Sequence, residues 1–217
     1  VAGAEVRDVS VALVVVTDGR WQYLQNTLDA ARRNLRYPFA HLRLVDDSGS
    51  DDVLIADGFE IVRHPTRRGL AAAVQSAWAG LPDDIDFVFH LEDDFLLVDP
   101  VDIDGMAITL KEHPHLAQLV LKRQPWSPAE QAAGGIIEMH PAEYFDRHGF
   151  VEHRRIFSLN PCLIPKSVID RGWPAGNEAE FTAGLVAAGY SFAFWGGRLD
   201  PPRCIHIGAE RAAGWKA

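Results

Sequence analysis

The feature that most constrains this chain is residues 9–17 (VSVALVVVT), an uncharged, valine-rich run that ends in Thr-Asp-Gly. A run apolar at nearly every position, rather than at every second one, is buried on both faces, which is the pattern of a central strand in a parallel sheet. It is far shorter than the roughly 20 residues a membrane-spanning helix requires, and no basic segment precedes it. Such a strand needs helices above and below it. Leu24, Leu28, Ala31 and Leu35 supply one at helical spacing, stopped by Pro38. Residues 41–45 (HLRLV) then read as a second strand running into the acidic loop DDSGSDD, and residues 59–63 as a third. A small-residue helix over 69–81 leads to a strand at 86–91 (DFVFHL), which delivers Glu92, Asp93 and Asp94. This β-α-β order predicts an α/β fold: a mostly parallel sheet, helices on both faces, and ligands at the carboxyl ends of the strands.

After Pro100 the periodicity loosens. The pattern predicts a helix near 101–113, a strand at 117–122, a Gly/Pro-marked stretch through His148, a strand at 157–164 (FSLNPCLI), a helix at 178–188 and a strand at 191–195 before a polar tail. With 217 residues, 47% of them hydrophobic, one ordinary domain with a proper core is expected. The net charge of -9 disfavours nucleic acid, whose affinity comes chiefly from clustered Lys and Arg. Cys162 and Cys204 stand apart, with neither a C-x-x-C motif nor a disulfide framework. These readings lead to the expectation of a cytoplasmic protein.

Carboxylates that end separate parallel strands meet at one sheet edge, so Asp46 and Asp47 are expected near Asp93 and Asp94. Clustered carboxylates repel unless a positive charge sits among them, and a hard divalent cation is the usual answer. Asp94, directly behind an apolar strand, is the favoured ligand; Asp51 and Asp52 read better as helix-capping acids. Arg63, His64, Arg67 and Arg68 form a basic cluster ahead of Gly69 and the helix it opens, and such a helix start is a natural anion site. Trp126 and Trp173, in Pro-containing loops, are candidates to stack on an acceptor ring, although a loop aromatic more often packs onto its own domain.

VVVTDGR, VDDSGSD, the R-x-x-R-R-G-L segment and HLEDDF occur in an order and spacing that resembles family-2-like GT-A glycosyltransferases, most clearly over the first hundred residues. The resemblance implies a Rossmann-like GT-A domain whose residues 1–100 bind a nucleoside-diphosphate sugar and whose residues 101–217 bind the acceptor. It places Thr17, Asp18, Arg20, Asp46, Asp47, Arg68, Gly69, Glu92 and Asp93 at the nucleotide-sugar. Asp46 and Asp47 would touch the base or ribose, and Glu92-Asp93-Asp94 would stand where D-x-D is expected, with Glu in its first place. Asp94 and His206, the latter in an element similar to H-x-G (CIHIG), would hold Mn²⁺ or Mg²⁺, and imidazole beside carboxylate suits Mn²⁺. GNEAEFTAGLVAAGY resembles the acidic helix start that supplies the catalytic base, which puts Glu178 in that role, with Glu180 as neighbour. Arg211 or Lys216 would neutralise the diphosphate. The donor implied is a UDP-sugar, and the acceptor stays open among glycans, lipid-linked precursors, small metabolites, protein and modified nucleobases.

Alternatives remain at this point. The His-Gly and Gly-Trp-Lys tail is also similar to retaining GT-A families, which leaves the stereochemistry open. Glu178 and Glu180 also fit as ordinary first-turn acids favoured by the helix dipole. A phosphoryl- or nucleotidyl-transfer α/β enzyme would place acidic pairs in the same way, but no P-loop is present. A catalytically silent nucleotide-sugar-binding domain would keep the fold without turnover.

Overall fold

The computed structural model describes residues 9–51, 56–174 and 176–208. Along the chain run β1 (Val11–Thr17), α1 (Trp21–Asn34), β2 (His41–Asp46), β3 (Glu60–Arg63), α2 (Leu70–Trp78), β4 (Phe87–Glu92), β5 (Phe95–Leu97), α3 (Ile103–Glu112) and β6 (Leu116–Leu121). The second part adds α4 (Pro128–Ala133), α5 (Ile136–Met139), β7 (Tyr144–Arg147), β8 (Phe150–His153), β9 (Cys162–Pro165), α6 (Lys166–Ile169), α7 (Glu178–Ala187), β10 (Ser191–Trp195) and β11 (Cys204–His206).

One sheet runs through both parts in the order β3-β2-β1-β4-β9-β6-β10-β8-β7, and β11 pairs with β5 in a separate ribbon. The pairings make β3, β2, β1, β4, β6, β10 and β7 run one way and β9 and β8 the other. The mostly parallel α/β sheet expected from the β-α-β order is therefore present, with an antiparallel strand at its centre.

Strand β1 is buried along its whole length, as its unbroken apolar run requires. Its two faces serve two cores. Val11, Leu13 and Val15 join Leu24, Leu28 and Ala31 of α1 and Met106 and Leu110 of α3, while Ala12, Val14 and Val16 join Val74 and Trp78 of α2 and Phe181 and Leu185 of α7. Alternation along a strand divides a continuous apolar sequence in this way. Each fully buried Leu, Val or Phe contributes roughly 1.5–3 kcal/mol relative to exposure.

The expected strand over 157–164 is corrected. Phe157 N–H donates to Thr182 Oγ1 (2.8 Å) and Leu159 N–H to Glu178 Oε1 (2.7 Å), so these backbone donors go to α7 side chains rather than to a neighbouring strand. Pro161 has no N–H to offer, and pairing begins at Cys162. Two loops reach the sheet edge only because glycine stands in them: Gly19, at φ +95°, would place a Cβ 2.6 Å from that of Ser48, and Gly49, at φ +66°, one 2.7 Å from Arg67 N. Cys162 and Cys204 are both buried free thiols. Among the described residues no helix is long and apolar enough to cross a membrane.

Candidate functional site

The carboxyl ends of β1 and β4, the start of α2, the start of α7 and the β11 ribbon enclose a cleft of about 1230 Å³. Of the residues singled out from sequence, Asp18, Arg20, Arg68, Gly69, Glu92, Asp94, Glu178 and His206 line it, as do Trp126 and Trp173. Thr17, Asp46, Asp47 and Asp93 do not line it.

At its centre is Arg20. Its guanidinium reaches three carboxylates: Nε to Asp18 Oδ1 at 2.8 Å, Nη2 to Asp93 Oδ1 at 2.5 Å and Nη1 to Asp94 Oδ2 at 2.9 Å. Burial works against the charge on Arg20, but Asp93, Asp94 and Asp18 outweigh it and raise the guanidinium above its ordinary value. Asp93 is further held by Thr17 Oγ1 at 2.6 Å, and its carbonyl accepts from Thr27 Oγ1 of α1 at 2.7 Å. Burial lifts its carboxyl to about 7 against the pull of Arg20 and Thr17. Asp93 and Thr17 thus shape the acidic turn from beneath.

Asp94 takes the other side of the cluster. His206 Nε2 lies 3.2 Å from Asp94 Oδ2, and although burial opposes it, the contacts with His206 and Arg20 lower the Asp94 carboxyl below its ordinary range. Asp94 Oδ1 is buried with no hydrogen-bond partner, as is Asp18 Oδ2. Glu92 moves the opposite way: burial, then Asp94, Glu178 and Asp93, raise it well above the usual carboxylate range.

The imidazole of His206 is positioned by residues that sequence reasoning did not single out for the task. The Gln124 side-chain amide clips both backbone groups of His206, donating to its carbonyl (2.8 Å) and accepting from its N–H (2.9 Å). The ring lies between Phe95, 4.7 Å between centroids, and Trp126, 4.1 Å, and Trp126 remains 39% exposed in the cleft. Ile207 N–H donates to the Asp94 carbonyl at 2.8 Å. A Cβ at Gly208 would collide with Asp94 Oδ2 and lie 3.0 Å from Arg20 Nη1, so only a bare backbone passes there. Lys122, also missed, holds the turn after β10 through the carbonyls of Gly197, Arg198 and Asp200. A single Lys or Gln just past the end of a strand carries no periodic signal of such a role.

Asp46 and Asp47 stand apart from the expectation that they touch the base or ribose, because both are fully buried. Asp47 Oδ1 accepts from Arg68 N–H (2.8 Å) and pairs with His64 Nδ1 (2.6 Å), and Oδ2 accepts from Gly69 N–H (2.7 Å). Asp46 accepts from Ser48 N–H (3.0 Å) and pairs with Arg63 (3.1 Å). The basic cluster divides accordingly: Arg63 and His64 serve these aspartates, Arg67 donates to the Asp18 carbonyl (2.6 Å), and Arg68 alone of the four lines the cleft. Gly69, at φ +88°, opens α2, and Leu70 and Ala71 of its first turn also face the cleft. Asp51 is exposed. Asp52, Arg211 and Lys216 lie outside the described residues.

At another part of the cleft lining, Asn177 caps α7 through Ala179 N–H and Glu180 N–H, and Glu178 is the first helical residue. The bond from Leu159 fixes its carboxylate at the cleft, close enough to act electrostatically on Glu92. Glu180 is exposed and does not line the cleft. Trp173 packs down onto its own domain, 5.4 Å from Trp78 and 5.1 Å from Phe181.

No known family's sequence profile matches the chain, and no curated protein matches it in sequence. Solved structures do. GalNAc-T7, determined with UDP, GalNAc and Mn²⁺, superposes on 96% of this chain at a TM-score of 0.63 and 12% identity. TarS residues 1–349 of S. aureus superpose on 92% at 0.59 and 13% identity, and the UDP complex of TarS on 91% at 0.59 and 14%. The architecture is that of the GT-A glycosyltransferases. The chain spans 44% of the length of GalNAc-T7 and 61% of TarS 1–349. A fold shared at such identity fixes the scaffold, and function has to be argued from the cleft.

The donors around Asp94 can be tested against a divalent cation. Asp94 and His206 supply oxygen and nitrogen at contact distance, and Asp94 Oδ1 is a buried acceptor with no partner. Among the described residues no group of three His, Cys, Asp or Glu side chains is placed to hold a metal. Two protein donors suit a cation that completes its shell with water and substrate phosphate, the habit of Mg²⁺ and of sites like it.

Proposed function

We propose that the chain is a glycosyltransferase that moves a sugar from a nucleoside-diphosphate donor, with a UDP-sugar the donor of first choice, to an acceptor hydroxyl. The observation that carries this reading is that Glu178 and the Asp94–His206 pair line one cleft, with Glu92 close enough to feel both the Asp94 and the Glu178 carboxylates. The related folds include structures with UDP, and one with Mn²⁺.

Asp94 and His206 would hold Mn²⁺ or Mg²⁺, which when bound neutralises charge on the leaving diphosphate. Arg68 and the first turn of α2 would receive phosphate oxygens, since a helix N-terminus with an adjacent guanidinium favours anions. Glu92, whose carboxyl is raised by burial and by its neighbouring carboxylates, would bond a hydroxyl of the donor. Glu178 would take the proton of the acceptor hydroxyl as its oxygen attacks the anomeric carbon from the face opposite the diphosphate, which inverts that centre. Trp126, exposed beside His206, offers an apolar face where the two substrates meet.

Glu178→Gln tests the reading. Removal of a positioned base costs about 10²–10⁴ in rate, with donor affinity nearly unchanged, because the base acts on the acceptor. Donor affinity by titration calorimetry and turnover of UDP-sugar would be compared with wild type. Normal turnover in the variant removes Glu178 from the role. UDP binding in the wild type without transfer or hydrolysis under any acceptor supports the silent-domain alternative.

A further inference from the structure

We propose that Arg20 is the resident counter-cation of the carboxylate centre, and that a divalent cation reaches Asp94 only by competing with it. The inference rests on the donor-site reading above, but it concerns this chain's own residues. Buried carboxylates need compensation in the metal-free protein as much as in the loaded one. Here the guanidinium provides it, with one nitrogen on each of Asp18, Asp93 and Asp94. The Asp94 oxygen that Arg20 Nη1 occupies, Oδ2, is the one that adjoins His206. The other oxygen, Oδ1, is buried without a partner on a residue only 6% exposed, as is Oδ2 of Asp18, which is 1% exposed. The centre therefore retains acceptor capacity that Arg20 does not satisfy, and it is partly blocked by a charge of the same sign as the metal.

Two consequences follow from charge alone. Metal by itself binds weakly, because it must share Asp94 with a guanidinium. A nucleoside diphosphate in the cleft gives Arg20, which lines it, a second anion to pair with. Metal and diphosphate then strengthen each other's binding by the same factor.

The test measures free Mn²⁺ by electron paramagnetic resonance against the whole chain, first with no nucleotide and then with saturating UDP. An opposite charge within about 4–6 Å changes a carboxylate's affinity for a proton by about one to three powers of ten, and a metal competes for the same oxygen. Arg20→Met should therefore bind Mn²⁺ alone about ten- to a thousandfold more tightly than wild type, and UDP should add less to that affinity than it adds in wild type. Asp94→Asn placed on Arg20→Met should abolish the gain. Arg20→Lys, which keeps the charge without three divergent donors, covers the case in which Arg20→Met does not fold; it should fall between the two. An Mn²⁺ affinity in either folded variant equal to or below that of wild type overturns the proposal. Failure of wild type to bind UDP at all would instead count against the donor-site reading.

Discussion

At the end of β2, Asp47 accepts two backbone N–H groups and pairs with a histidine, and no acceptor capacity is left facing the cleft. At the end of β4, Asp94 shares one oxygen between a histidine and an arginine and keeps the other without a partner. Both are buried aspartates at one edge of one sheet. The difference is in what the following chain offers them. After β2 the chain makes β3 and folds back, so that the loop before α2 turns its amides inward onto Asp47. After β4 the chain makes the short ribbon strand β5, and what approaches Asp94 is side chains from remote segments, Arg20 and His206. An acid held by backbone amides fixes a loop in place, whereas an acid held only by side chains, with one oxygen unpartnered, keeps acceptor capacity for a ligand.

The largest effect expected from this contrast is on stability. Asp47→Ala leaves the part-buried N–H groups of Arg68 and Gly69 and the ring of His64 without their shared acceptor and should cost about 3 kcal/mol in urea denaturation. Asp94→Asn should divide the other way. Its denaturation midpoint moves far less, while Mn²⁺-dependent UDP binding falls about a hundredfold or more, judged by the 10- to 100-fold that supporting residues of metal sites already command. Equal behaviour of the two variants in both measurements would break the comparison. The smallest effect concerns pH. His90, fully buried on β4 two residues before Glu92, has no hydrogen-bond partner on either ring nitrogen, and burial lowers it to about 3. Burial likewise lowers His153 to about 4. Both are neutral in the native state, so below pH ~6.5 the unfolded chain takes up protons that the native chain refuses. Stability should fall as pH drops from about 6.5 toward 4, by up to roughly 1.4 kcal/mol per pH unit for each group. His90→Leu should flatten that slope and leave UDP affinity at pH 7 untouched; a changed affinity would make His90 part of the centre.

How legible this was depends on range. Strands β1, β2 and β4 and helices α1, α2 and α7 could be placed from periodicity because each is specified by its own residues. The acids that end β2 and β4 could be named for the same reason. Their separate uses could not, since Asp47 is distinguished from Asp94 by amides twenty residues downstream in one case and by His206 in the other. The need for a positive charge among the carboxylates was readable from sequence. That Arg20 provides it depends on the Gly19 turn, which aims the side chain across the ends of β1 and β4. Residues 157–161 looked like the start of a strand because Phe157 and Leu159 are apolar, and only the placement of Thr182 and Glu178 on α7 takes their amides away from the sheet.

The position of β9 has a consequence for how the molecule is assembled in time. Its four residues, Cys162–Pro165, lie between β4 and β6, strands that leave the ribosome some forty to seventy residues earlier. Until they dock, β4 and β6 each present an open edge, and such edges are templates for pairing with other chains. The first three parallel strands and their helices can collapse early, but the sheet cannot become continuous before the chain has passed residue 165. Late, non-local closure of this kind slows folding and lengthens exposure to aggregation. Because Leu159 sits just upstream of the same strand, the step that closes the sheet also sets in place the backbone N–H that Glu178 accepts from once α7 has formed.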